Sequence, residues 1–411
     1  MQAQNSLDIE EEEEINKEPP KKSDKGKFTY IMILITAILV SSAVSIKVYS
    51  SLIPKQTSDK LAQIDSLVRK YYSGEIDDKV LDDTLASAYM HAINDKYGFY
   101  RNAEDSVLVE NSIEGNALGI GITVFNDDEN KALAVFRVDS GSPADKAGIK
   151  IGDKIIAIDG KTVEKVGFSE SVESIKRELG KTAEITLLRD TKEKKITVKY
   201  EEFIRQSVYY EVIQDYGYVC ITAFNEATVA QFKQAYETLN REKVKGFIFD
   251  VRDNGGGTVD SVCEILDILV GKCDLITTLY ADGSKEISHK SDSKKCSLPM
   301  VVLTNEATAS AAELFSANLR DVEGSLLIGN NTYGKGVVQR TYFLNDGSCV
   351  RFTVGEFLPA GGKGFNAKGL APDFEVNFTE EQAKNRYDLG EEEPYLKKAI
   401  EQLNKLTSKE S

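Results

Sequence analysis

The chain has 411 residues and is acidic, with 66 Asp and Glu against 51 Lys and Arg and a formal net charge of −15. This length predicts two or three domains that can each bury a core. A surface of that charge argues against nucleic acid as a partner. The five cysteines are odd in number and include no Cys-x-x-Cys pair, which argues against a disulfide framework or a zinc site.

The chain contains only two histidines, His91 and His289. His91 lies in a helical pattern, and His289 lies in a polar run that is typical of a loop. Neither occurs in a motif that would make it a general base. A Ser-His-Asp hydrolase therefore stays open as an alternative, and a lysine base is favoured.

The first 58 residues are predicted to form a tail, a membrane anchor and a linker. Residues 1–27 are polar and include five consecutive glutamates, which predicts a disordered cytoplasmic tail. Phe28–Ile46 is uncharged and long enough to cross a bilayer, which predicts one transmembrane helix. Five lysines precede this segment and two follow it, so the sequence predicts a cytoplasmic N-terminus and an extracytoplasmic catalytic domain at the cell membrane. A signal peptide cleaved near Ser41–Ala43 is the alternative, and residues 47–58 are interpreted as a linker.

Residues 59–116 carry apolar residues at helical spacing, for example Leu61, Ile64 and Leu67. They predict a helical segment that either covers the core or serves as a dimerisation unit. A homodimer is therefore an open alternative.

Residues 117–200 are typical of a compact β-rich domain. Leu118–Ile122 contains a Gly-Ile-Gly turn, and Ser142–Ile149 predicts a short helix. Gly152–Gly160 predicts a strand followed by a turn, and Phe168–Leu179 predicts a second helix.

Residues 201–378 alternate between short apolar runs and helical patterns, which predicts an α/β core. In this region Phe247–Val251 predicts a buried strand that leads into Gly255–Gly257. These glycines lack the spacing of a P-loop or of a dinucleotide site, so a phosphate cradle is not predicted. Residues 379–411 are charged and contain a predicted helix at Pro394–Leu406. We interpret this region as a packing element or a tail, without a role in the chemistry.

The stretch Leu298–Arg340 carries the candidate chemistry. Met300–Leu303 is a continuous apolar run, typical of a strand that is buried on both faces. Apolar residues at helical spacing begin at Ala311. Ser310 therefore lies where a strand passes into a helix N-terminus, where neighbouring N–H groups could stabilise an oxyanion.

Lys335 follows Ser310 by 25 positions in Gly-Lys-Gly-Val-Val-Gln, and Gln339 ends that segment. If the segment is extended, Lys335, Val337 and Gln339 share one face, and serine, lysine and glutamine converge. The alternative for Ser310 is a capping box with Glu313, in which the two residues satisfy free N–H groups at the helix start. The two interpretations are compatible.

The serine motif, the lysine motif and the upstream segment Asp250–Gly257 together resemble the tail-specific (C-terminal processing) serine protease family. The resemblance covers about Asp59–Phe378. It implies a crotonase-like α/β protease core of ββα type with an inserted PDZ domain. The predicted fold is completed by the N-terminal helical segment and the one transmembrane helix that the apolar patterns indicate. The resemblance also implies a catalytic Ser310/Lys335 pair with Gln339 nearby.

The resemblance further implies an oxyanion hole formed by the amides of Gly256 and Ala311. In the family the glycine turn reads Asn-Pro-Gly-Gly. Gly255 therefore replaces a proline in this chain, and the turn is predicted to be less rigid.

The β-rich domain at residues 117–200 resembles a PDZ domain through its ordered set of Gly-Ile-Gly turn, Ser-Pro-Ala-Asp helix and Gly-Asp-Lys strand. Such a domain binds a peptide as an added strand at a sheet edge. The resemblance implies that backbone amides of Leu118, Gly119, Ile120 and Gly121 hold the terminal carboxylate of the peptide.

The function implied is a membrane-anchored serine endopeptidase that recognises the accessible C-termini of protein or peptide substrates and needs no metal or organic cofactor. One alternative is a catalytically degenerate PDZ-containing membrane scaffold, against which the intact Ser310, Lys335 and Gln339 argue. Another is an acyl-binding or acyl-transfer protein of crotonase-like fold. The inserted PDZ domain and the predicted topology argue against that alternative.

Overall fold

The computed structural model describes residues 55–292, 295–379, 382 and 390–408. The chain divides into two compact units, residues 1–77 and residues 78–411. The first unit is described from Lys55 onward and contains helix α1 (Lys55–Tyr71).

The predicted transmembrane helix is not supported and is corrected here. A spanning helix needs about 20 predominantly apolar residues. Over the described ranges, no helix is long and apolar enough to cross a membrane, and Phe28–Ile46 lies outside those ranges. The predicted location at the cell membrane, with a cytoplasmic N-terminus and an extracytoplasmic catalytic domain, depended on that anchor and is not supported either.

The second unit begins with two helices that flank a short strand, namely α2 (Asp78–Ala92), β1 (Phe99–Arg101) and α3 (Ala103–Glu114). Asn102 caps α3 by accepting a hydrogen bond from the amide of Asp105, and Gly115 ends the helix in the left-handed conformation. Strand β1 pairs with a long strand near the end of the core, β18 (Cys349–Pro359). The segment between α2 and β1 is therefore held against the core.

The β-rich domain is an antiparallel sheet in the order β3-β4-β5-β7-β8, with β6 paired to β5. Along β8 the last side chains alternate between the core and solvent, with Ile196 and Val198 in the domain's core. A separate pair, β2 with β9, lies at the two ends of this domain in sequence. The elements are β2 (Asn116–Gly119), β3 (Ile122–Asp127), β4 (Ala132–Val138), α4 (Pro143–Ala147), β5 (Lys154–Ile158), β6 (Lys161–Thr162), α5 (Val163–Val166), α6 (Phe168–Ile175), β7 (Thr182–Arg189), β8 (Lys192–Lys199) and β9 (Glu201–Ile204).

The core of the second unit is a six-stranded sheet in the order β10-β11-β12-β15-β16-β19, in which all pairs except β10 with β11 are parallel. Three helices cover one face and a fourth covers the other. The elements are β10 (Val208–Ile213), β11 (Tyr216–Ile221), α7 (Glu226–Arg241), β12 (Phe247–Asp250), α8 (Val259–Leu269), β15 (Met300–Thr304), α9 (Ala311–Glu323), β16 (Leu326–Gly329), β19 (Phe374–Glu375) and α10 (Pro394–Thr407).

Burial of this sheet on both faces explains the continuous apolar runs in the sequence. Phe247 and Phe249 pack toward α7, α8 and α9, whereas Ile248 packs toward α10. The C-terminal helix is thus a packing element of the core. Its N-cap residue, Glu393, also accepts a hydrogen bond from the partly buried Arg252 at 2.5 Å.

A second sheet lies in the order β1-β18-β13-β14, with β17 paired to β18. Its remaining strands are β13 (Cys273–Tyr280), β14 (Lys285–Ser291) and β17 (Val337–Phe343). His289 lies in β14, so the loop predicted for its segment is wrong. Lys335 precedes β17 and is not part of a strand, so the strand face predicted for Lys335, Val337 and Gln339 does not include the lysine.

Candidate active site

Ser310 lies at the turn between β15 and α9, as the sequence predicts. Its backbone has φ 58° and ψ −118°, a conformation that residues with a side chain rarely adopt. Such strain persists only where the surroundings enforce it. Here Thr308 donates its hydroxyl to the carbonyl of Val251 at 2.8 Å, and the amide of Ala309 donates to the carbonyl of Asn254 at 2.9 Å. The turn is therefore fastened to the loop that follows β12.

Glu313 lies in the first turn of α9 and is fully buried. One of its carboxylate oxygens, Oε2, accepts hydrogen bonds from the amides of Ser310 at 2.9 Å and Lys335 at 2.8 Å. The other, Oε1, accepts from the hydroxyl of Thr332 at 2.5 Å and the amide of Gly334 at 2.7 Å. One carboxylate thus ties the turn that carries Ser310 (the serine turn) to the loop at Thr332–Lys335 (the lysine loop).

Lys335 is half-buried, with its Nζ 4.5 Å from the ring centroid of Tyr97. Burial, reinforced by the positive charge of Arg351, lowers the pKa of Lys335 below that of an ordinary lysine. Within the described residues, Nζ of Lys335 has no hydrogen-bond partner, so it does not contact Ser310 at hydrogen-bond distance. Catalytic hydrogen bonds are often long without substrate and tighten when substrate binds.

Gln339 does not bond to Lys335. Its Nε2 donates instead to the backbone carbonyl of Tyr97 at 2.7 Å. Because the ring of Tyr97 lies beside the Lys335 ammonium, Gln339 is connected to the lysine through Tyr97. The structure brings Ser310, Lys335 and Gln339 into one region, but it links them through Glu313 and Tyr97 rather than directly.

The loop that carries Tyr97 is anchored by Asp95. This carboxylate accepts hydrogen bonds from the amide of Thr353 at 2.6 Å and from the amide of Tyr97 at 3.0 Å. Burial opposes ionisation of Asp95, but the hydrogen bonds from Thr353 and Tyr97 outweigh it and lower the pKa of this group. The sequence interpretation missed both this anchor and the role of Tyr97.

The glycine turn after β12 lies directly against Ser310. A side chain at Gly256 would place its Cβ 2.8 Å from Cβ of Ser310 and 3.0 Å from the amide nitrogen of Ala311. The φ of Gly256 is also +103°, so this position requires glycine for both reasons. The amide of Gly256 donates to the side chain of Asn254 at 2.8 Å. The Gly256 amide is therefore already hydrogen-bonded in this structure and does not point to an open oxyanion site.

Neither histidine is linked to this site by any contact among the described residues. His91 is exposed at the end of α2. His289 contacts Asp260 through Nε2 at 2.8 Å, and its buried Nδ1 has no hydrogen-bond partner in the described part of the chain. These positions offer no support for a Ser-His arrangement.

Two depressions are the candidates for binding peptide. An open cleft of about 610 Å³ lies beside the lysine loop, with Gly334 and Val337 on either side of Lys335 and with Tyr97 among its walls. A groove of about 250 Å³ in the β-rich domain is lined by Leu118–Gly121 and by residues of β3 and α6. The four predicted peptide-binding residues therefore share one groove.

The fold and the site define a class. A serine held in a strained strand-to-helix turn, a half-buried lysine nearby and a separate β-domain with a peptide-sized groove are the features of a PDZ-containing serine protease.

Comparison with known proteins agrees with that class. Residues 215–376 match peptidase family S41, and residues 117–200 match the PDZ domain. The carboxy-terminal processing protease CtpA of Bacillus subtilis is 30% identical over 354 residues, which cover 84% of this chain and 76% of that protein. A CtpA-like serine protease of Staphylococcus haemolyticus is 26% identical over 380 residues, covering 89% of this chain and 76% of that one.

Among solved structures, an S41 protease from Bacteroides fragilis has the same fold, with a TM-score of 0.57 and 19% identity over 84% of this chain and 97% of that chain. The chain belongs to peptidase family S41 and is a serine protease with a PDZ domain. The family resemblance noted in the sequence is therefore confirmed. The comparisons lend no support to the membrane anchor or to the homodimer that the sequence left open.

Proposed function

We propose that the protein is an endopeptidase that recognises C-terminal tails through its PDZ domain and cleaves peptide bonds with a Ser310/Lys335 dyad. The observation that carries the proposal is the Glu313 carboxylate, which holds the serine turn and the lysine loop together. The lowered pKa of Lys335 supports the role of base, because only the neutral amine can accept a proton.

In the proposed reaction, Oγ of Ser310 attacks the peptide carbonyl while neutral Lys335 takes its proton. The C–N bond then breaks, and Lys335 returns the proton to the leaving amine. Water hydrolyses the acyl-enzyme, with Lys335 again as base. Tyr97, whose carbonyl accepts a hydrogen bond from Gln339, orients the lysine side chain.

The amide of Ala311, at the N-terminus of α9, is proposed as the first oxyanion donor. The amide of Gly256 is the second. It contributes after the substrate oxygen replaces Oδ1 of Asn254 as the acceptor of its hydrogen bond, so the amide exchanges one acceptor for another.

Removing the charge of Arg351 should shift the pH dependence of activity. A lysine base makes kcat/KM rise with pH through the lysine pKa, and the charge of Arg351 lowers that pKa. The substitution Arg351→Gln should therefore move the acidic limb to higher pH, measured as kcat/KM over roughly pH 6–10. Arg340→Gln, at an exposed position on β17, is the matched control and should leave the limb in place. If the acidic limb of the pH profile stays in place in both variants, the charge of Arg351 does not lower the pKa of Lys335.

Amidation of a substrate's C-terminus should slow its cleavage. The amide removes the carboxylate that the backbone of Leu118–Gly121 is proposed to bind. The effect is measured as the initial rate of cleavage of a substrate with a free C-terminal acid and of the same substrate amidated, each at a concentration below KM. Equal rates would show that the domain does not recognise the terminal charge.

A further inference from the structure

The PDZ groove combines an open sheet edge with an apolar wall. Strand β3 is the edge of its sheet and pairs only with β4 among the described strands. Ile122 and Val124 of β3 face Val172 and Ile175 of α6 across the groove. A peptide strand added to this edge would bury alternate side chains against that apolar wall.

A charged cluster lies at the same groove, formed by Arg137, Asp139, Arg205 and Tyr209. Asp139 is buried, and its two oxygens lie 3.6 Å from Nε of Arg137 and 3.9 Å from Nε of Arg205. The hydroxyl of Tyr209 donates to Asp139 at 3.4 Å. Two guanidinium groups thus share one carboxylate at long distances, which leaves the cluster with one excess positive charge.

Arg137 is left with unused hydrogen-bonding capacity. Its Nε is buried and has no hydrogen-bond partner in the part of the chain that the structure describes. The side chain of Arg137 is nevertheless 31% exposed, so its guanidinium can donate a charge-assisted hydrogen bond to an incoming carboxylate. By contrast, Lys176, which also lines the groove, is bonded to Glu173 at 2.6 Å.

The register of the sheet fixes where the cluster would meet a bound peptide. Ile122 pairs with Val138 on the core face of the sheet, and Thr123 pairs with Arg137 on the opposite face. Side chains of an added strand alternate between the same two faces. If the terminal side chain enters the apolar groove, the penultimate side chain points to the face of Arg137.

We propose that Arg137, assisted by Arg205, selects substrate tails that carry an acidic side chain at the penultimate position. This inference rests on the proposed recognition of C-terminal tails by the PDZ domain. The chain as a whole is strongly acidic, with a net charge of −15, so a local excess of positive charge gives such tails a preferred place to bind.

The test uses the full chain with Ser310→Ala, which prevents cleavage, and fluorescent peptides that differ at one position. A peptide with penultimate Asp should bind about tenfold more tightly than its Asn twin, as expected for one charge-assisted bond. A peptide with Asp moved to the third position from the end should bind like the Asn peptide. In the Arg137→Gln variant the advantage of the Asp peptide over the Asn peptide should disappear.

Two further variants keep the result interpretable. Arg137→Lys retains the charge and should retain most of the preference. Lys195→Gln removes an exposed cation of β8 and should leave the preference unchanged. Equal binding of the Asp and Asn peptides to the Ser310→Ala protein, or an Asp preference that survives Arg137→Gln, would overturn the inference.

The amidated Asn peptide separates this inference from the proposed function. If amidation weakens binding but the Asp and Asn peptides bind equally, tail recognition stands and the proposed selectivity for a penultimate acidic residue is wrong. If amidation has no effect, tail recognition by this groove is itself wrong.

Discussion

Replacement of Lys335 by methionine or by arginine should abolish proteolysis while the protein stays folded. Methionine has no amine, and the guanidinium of arginine stays protonated at any relevant pH, so neither can accept the serine proton. Loss of a general base costs about 10²–10⁴-fold in rate. The measurement is kcat/KM on an unfolded protein substrate with a free apolar tail, with thermal unfolding recorded for each variant.

The controls for this prediction are the serine and the two histidines. Ser310→Ala should be as inactive as the lysine variants, because the nucleophile is lost. His91→Ala and His289→Ala should keep most of the activity, since neither side chain contacts the site in the described part of the chain. An active Lys335→Met protein, or inactivation by loss of a histidine alone, would replace the dyad with a Ser-His mechanism.

Substitution of Glu313 by glutamine should impair both catalysis and stability, although it changes only one atom. Each carboxylate oxygen accepts two hydrogen bonds, and at Oε2 both donors are backbone amides. At Oε1 one of the two donors is also a backbone amide. In either orientation the amide group of glutamine would therefore place its own N–H against a backbone N–H. We expect the free energy of unfolding to fall by about 2–4 kcal/mol, and kcat to fall more than KM rises.

Glu323 provides the matched control, because it lies at the other end of the same helix. Its side chain is 6% exposed, and it accepts a hydrogen bond from the amide of Gly271 at 3.0 Å. The Glu323→Gln variant should lose stability without a specific loss of kcat. If Glu313→Gln and Glu323→Gln lower kcat equally for equal losses of stability, Glu313 has no positioning role.

The local sequence determined the elements that carry the chemistry. The apolar run at Met300–Leu303 and the helical spacing after Ala311 are short-range patterns, and they placed Ser310 at a strand-to-helix turn. The sheet is apolar in sequence because helices bury both of its faces. The ordered glycine motifs likewise carried the resemblance to a PDZ domain, which the match over residues 117–200 confirms. The membrane anchor was inferred from hydropathy alone and is not supported.

Only the tertiary structure decided how those residues meet. Gln339 bonds to Tyr97, which is 242 positions away, and no periodicity in the sequence encodes that contact. Glu313 reads as a helix cap in the sequence, and one half of that cap is present in its bond to Ser310. Its further bonds to Thr332, Gly334 and Lys335 depend on where the lysine loop packs. Local propensity determines where a helix begins. Long-range packing determines which donors surround a buried carboxylate, because such a group is stable only where the whole fold supplies its hydrogen-bond partners.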